Sequence, residues 1–114
     1  MKLQAYIIAI QSLKKEKEFL NLKRISLLEE LKNEEVEISD INRISAKISR
    51  ISAEIDEKQK FLDDFMSSHF ELIDIKIFAY KCYRKLSFEK IGELVNYSAK
   101  QVSRRYHNIL NTNL

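Results

Sequence analysis

The sequence predicts an all-α protein: an N-terminal antiparallel coiled-coil helical hairpin followed by a small C-terminal helix-turn-helix domain. Three observations carry this. The 114 residues include one glycine and no proline, where average usage would supply roughly eight and six, so the many tight turns of a β-sandwich or barrel cannot be built. Apolar residues in the first half recur at 3-4 spacing, the period of a coiled-coil seam. The last part carries two helix caps around a turn residue, the spacing of a helix-turn-helix.

The first predicted helix, about 3–33, places Leu3, Tyr6, Ile10, Leu13, Leu20, Leu27 and Leu31 on one seam, interrupted by Lys17 and Arg24. Ile7, Ile8, Phe19, Ile25 and Leu28 fall outside it, which implies a second contact, either with the C-terminal domain or with another subunit. The second helix, about 40–66, keeps the spacing through Ile41, Ile44, Ile48, Ile51, Ile55, Lys58, Leu62 and Phe65, seven of eight positions apolar. Between them the seam loses phase over Asn33 to Asp40, where Ser39 or Asp40 can cap the new helix. A short connection implies antiparallel neighbours. The polar seam residues Lys17, Arg24 and Lys58 either lay their stems along the seam with their charges in water or specify register and oligomer state. The face made by Ser45, Ala46, Ser49, Ser52 and Ala53 is either solvated or lets another helix approach closely.

The third helix, about 69–85, covers a run from Phe70 to Leu86 that is apolar around most of its circumference. Leu72 to Phe78 partly alternates, yet no second strand exists to pair with it, so a buried helix capped by Ser67 or Ser68 is expected. Domain boundaries follow at 1–66 and 67–114. Ser87 then caps a short helix of about 87–95, and Asn96 tolerates the left-handed conformation of a tight turn. Ser98 opens a last helix, about 98–111, with Gln101 completing a capping box. Gly92 stands where the two helices must cross. Val102, Tyr106 and Ile109 face inward against Ile91, Leu94 and Val95.

Charge divides along the chain. Residues 1–66 hold 12 basic and 13 acidic side chains, and residues 67–114 hold 8 and 4. From residue 97 onward there are three bases and no acid. The outward face of the last helix presents Ser98, Lys100, Gln101, Ser103, Arg104 and His107, with Arg105 and Asn108 on its flanks. Long bases neutralise phosphates, and Arg or Gln near a helix start can pair with base edges in the major groove. Phosphate contact is the commoner role for any one of them.

Leu86 to Ser98, followed by Val102, Arg105 and Tyr106, resembles the helix-turn-helix of sigma-70 region 4, and looks most like the sigma-like C-terminal domains of small phage late-gene transcription regulators of the RinA and ArpU type. The likeness covers about residues 70–111. Gly92 stands where that family usually has alanine and Asn96 where it usually has glycine, and no promoter-melting region 2-like segment is present. The resemblance implies a phage- or prophage-encoded, sequence-specific DNA-binding regulator whose hairpin oligomerises or contacts RNA polymerase. Two other readings stay open: a small-terminase-like DNA-packaging protein, and a helical interaction protein that engages RNA polymerase or a sigma factor without touching DNA.

No enzyme is expected. One glycine cannot build a phosphate loop or nucleophile elbow, and His69 and His107 lie far apart without cysteine or acidic clusters at metal-ligand spacing. Cys82, the single cysteine, excludes an intrachain disulfide and is read as a small core residue. No cofactor, metal or small-molecule substrate is implied. The start of the chain lacks a convincing signal peptide and no apolar run approaches a membrane span, so a cytoplasmic protein is expected, with duplex DNA and further copies of itself as partners.

Overall fold

Residues 1–31 and 37–114 are described by a computed structural model of the chain. Among the described residues five helices follow in order: α1 Leu3–Leu31, α2 Ile38–His69, α3 Leu72–Cys82, α4 Phe88–Val95 and α5 Ala99–Leu110. Among the described residues there is no strand, only an isolated antiparallel bridge between Lys2 and Asn113. The expected connection at Asn33 to Val36 lies outside the described residues. Ser39 and Asp40 sit inside the first turn of α2, not before it. Asp40 still favours that end, its charge meeting the helix dipole while its amide bonds the Glu37 carbonyl at 3.1 Å.

Contacts divide the chain into two units, Ile8–Phe61 and the combination of Met1–Ile7 with Leu62–Leu114, where the sequence places one boundary at 66/67. In the first unit Leu20, Ile48, Ile51 and Ile55 form a buried cluster flanked by Leu13 and Ile44. Ile10 and Ile41 are buried, and Leu27 and Leu31 half-buried. The seam spacing therefore marks the side chains that leave water, and their removal from water is the main stabilising term. Arg24 stands half-buried in the seam because its guanidinium donates to Asn21 Oδ1 at 3.3 Å and Ser45 Oγ at 3.5 Å.

The second unit centres on Ile77, Ile91 and Val102, each fully buried. Around them pack Ile73, Tyr80, Leu86, Phe88, Val95, Tyr97 and Tyr106. Leu62 and Met66, from the end of α2, are also buried. That helix continues to His69, past the expected end at 66, so Ser67 and Ser68 are helical and do not cap α3. His69 closes α2 instead: its ring stacks on Phe65 at 4.1 Å and Nδ1 donates to the Phe65 carbonyl at 3.0 Å, holding the ring against the last turn. Glu71, in extended conformation and without a side-chain cap bond, precedes α3.

α3 ends at Cys82, earlier than the expected 85. Lys85 adopts a left-handed conformation, φ 53°, and the Leu86 amide reaches back to the Tyr80 carbonyl at 3.1 Å. Lys81 Nζ donates to the Leu86 carbonyl at 3.1 Å and lies 4.4 Å from the Phe88 ring centre, tying the turn to the start of α4.

Leu3, which by spacing begins the seam of the first helix, belongs to the second unit and is fully buried. Its amide donates to the Thr112 carbonyl at 2.8 Å, and the Leu114 amide to the Met1 carbonyl at 2.9 Å. The first and last residues thus run antiparallel side by side. Leu3→Ala should destabilise this unit by about 2–5 kcal/mol. All five tyrosines lie in it, so near-ultraviolet circular dichroism should lose its signal at lower temperature; an unchanged transition would show that Leu3 is not part of this core.

Candidate nucleic-acid interface

Three residues, Asn96 to Ser98, link α4 to α5. Ser87 opens α4 by accepting the Lys90 amide at 3.1 Å. Asn96 closes it in the left-handed region, φ 63° and ψ 41°. Its amide and that of Tyr97, the latter at 2.9 Å, both reach the Gly92 carbonyl. Ser98 Oγ accepts the Gln101 amide at 3.1 Å, and Gln101 Oε1 accepts the Ser98 amide at 2.9 Å. This reciprocal box satisfies two amides that a helix start leaves unpaired.

Gly92 is buried, and a Cβ built on it would lie 2.5 Å from the Tyr97 carbonyl oxygen and 3.4 Å from Ala99 N. That oxygen is backbone and cannot swing away, so α4 meets the link at a distance only glycine permits. The same approach turns Ile91, Gly92 and Val95 toward the core. Leu94, expected inward, is 48% exposed. It lies on the far side of Ile91 from Gly92 on the helix circumference, beyond the reach of α5.

Val102 and Ile109 are buried along the inner side of α5, and Tyr106 is half-buried. Burial raises the Tyr106 phenol above its ordinary range, and its contact with Cys82, 3.4 Å from Sγ to Oη, adds to the effect. Burial likewise pushes the Cys82 thiol up.

The residues expected on the outer side have different situations. Lys100 and Arg104 are exposed, with no hydrogen-bond or ion-pair partner among the described residues. Ser98 and Gln101 are exposed too, but one oxygen of each is held by the cap, leaving the Gln101 amide nitrogen to donate outward. His107 donates through Nδ1 to the Ser103 carbonyl at 2.7 Å, and Ser103 is half-buried. Asn108 is exposed, its carbonyl accepting from Thr112 Oγ1 at 3.1 Å.

Arg105 turns inward. Its guanidinium donates to Asp74 Oδ1 at 3.0 Å and lies 5.2 Å from the Tyr97 ring centre. The hydrogen bond to Asp74 raises its pKa further. Asp74, on α3, was not singled out by the sequence. The signal was there, since a lone carboxylate within an apolar helical run needs a buried partner. Asp74, Arg104, Arg105 and Asn108 border a cleft of about 390 Å³.

No group of three or more His, Cys, Asp or Glu side chains among the described residues could hold a metal ion. No described helix is long and apolar enough to cross a membrane. No family model, curated protein or solved structure matches the chain.

Two outcomes are expected. Gly92→Ala should destabilise the second unit by about 1–3 kcal/mol through overpacking, seen as a lowered tyrosine-monitored melting temperature; an unaltered one would mean the link can retreat. Tyr106 and Cys82 hold their protons to higher pH when folded than unfolded. Their contribution is complete below about pH 9, where free thiols and phenols begin to ionise, and falls as pH rises further. Denaturant titrations should show stability declining from there, less steeply in Tyr106→Phe; equal slopes would remove Tyr106 as the cause.

Proposed function

We propose that the chain is a sequence-specific DNA-binding transcription regulator of the phage or prophage kind. α4, the Asn96–Ser98 link and α5 act as a helix-turn-helix with α5 in the major groove, and α1 with α2 form an antiparallel hairpin that oligomerises or contacts RNA polymerase. The observation that supports this most directly is the division of α5 into two sides. Its inner side is used up by the core, while its outer side holds Lys100 and Arg104, without partners among the described residues, and no acid at all. A helix start that is free of acid and supplied with bases favours polyanions through both its dipole and its charges.

The roles differ along the helix. Lys100 and Arg104 are the phosphate or base-edge contacts. Gln101 combines capping with an outward amide donor. Arg105 chiefly orients α5 on α3 through Asp74. This distribution departs from a simple basic stripe, because one of the three bases beyond residue 97 is held by an acid from another helix.

Selection from a random duplex pool should return a preferred site, and anisotropy titrations on it should show affinity falling as salt rises. In Lys100→Ala with Arg104→Ala the affinity should drop at every salt concentration, and the slope of log K against log salt should flatten by roughly one per phosphate contact removed. Unselective recovery from the pool, or identical binding by the double variant, would contradict the proposal.

A further inference from the structure

α1 carries a second apolar stripe. Leu13, Leu20 and Leu27 line its seam, whereas Leu22, 60% exposed, lies roughly opposite, and Phe19, 65% exposed, lies about 100° round the helix from Leu20 at 3.6 residues per turn. Ile25 follows at the same three-residue step, 52% exposed, so the three side chains are surface neighbours. A continuous apolar patch of this kind marks a contact surface more than scattered single residues do. On α2 the side opposite the isoleucine seam carries Ala46, Ser49 and Ala53, all exposed, a shallow strip able to receive large side chains.

We propose that the stripe on α1 is covered by a second copy of this chain, α1 of one packing on the outer side of α2 of the next. The proposal rests on the hairpin part of the reading above and not on DNA binding. With Arg24 bonded to Ser45 and Leu20 packed among Ile48 and Ile51, Phe19 and Leu22 stand at the height of Ser49 and Ala46 on the far side of the hairpin. Charges agree with this pairing. Lys14 and Lys15 stand at the height of Asp56 and Glu57, and Glu18 at that of Arg50. All six are exposed and none has an ion pair among the described residues. A neighbour related by rotation about an axis along the hairpin therefore brings opposite signs together beside the apolar contact. A parallel two-fold contact of α1 on itself would set Lys15 against Lys15 and Glu18 against Glu18.

Each copy keeps one unused face of each kind, so such association continues until it closes on itself. Sedimentation velocity on the full chain, without DNA, tests it. The wild-type chain should form assemblies of three or more copies. Phe19→Glu with Leu22→Glu should be monomeric, as should Ala46→Glu with Ala53→Glu. Mixed, the two variants should form a one-to-one heterodimer, because each retains the face the other lacks. Far-ultraviolet circular dichroism checks that both remain helical, and Phe19→Ser with Leu22→Ser replaces the first pair if it does not. A monomeric wild type, an alanine-face variant that keeps the wild-type mass, or helical variants that stay monomeric when mixed would each overturn the proposal.

Discussion

The close approach of α4 to the link that follows it organises the C-terminal unit. The Tyr97 carbonyl oxygen stands where a Cβ of residue 92 would be, 2.5 Å from its ideal position, and the chain places its only glycine there. Because Gly92 also receives the amides of Asn96 and Tyr97, one residue sets both the end of α4 and the path of the link. The helix that follows inherits its direction from that path. Val102 then reaches the core beside Ile77 and Ile91, and Lys100 and Arg104 are left facing water.

Asp74 adds a second constraint from α3. Pairing Arg105 with a carboxylate and a tyrosine ring fixes the rotation of α5 about its own axis, through a planar guanidinium suited to both contacts. The pair is partly exposed, so its value lies in orientation more than in stability. It also concentrates the free positive charge of α5 in its first half, at Lys100 and Arg104, where the helix dipole acts in the same direction.

Features set by neighbouring residues were legible in the sequence. The Ser98–Gln101 box, the Ser87 cap and the left-handed Asn96 each depend on a side chain and a backbone group within a few positions. The buried side chains Leu20, Ile48, Ile51 and Ile55 follow from a period that any helix must display. What escaped was fixed by distant contacts. Leu3 fits the heptad of α1 equally well whether it meets α2 or the C-terminal residues, and only the pairing with Thr112 decides. Ser67 and Ser68 are good caps, but His69 stacked on Phe65 lets α2 run past them. Lysine carries no signal for the left-handed region, so the turn at Lys85 was not foreseen. The partnership of Arg105 and Asp74 spans 31 positions, and spacing within one helix cannot reveal it.

In the proposed function the outer side of α5 meets duplex DNA. Backbone amide chemical shifts followed during titration with a selected duplex address it residue by residue. The largest changes should fall over Ser98 to Asn108, strongest around Lys100, Gln101 and Arg104, with little change along Ile41 to Ile55. Changes confined to α1 and α2, or none at saturating duplex, would contradict it.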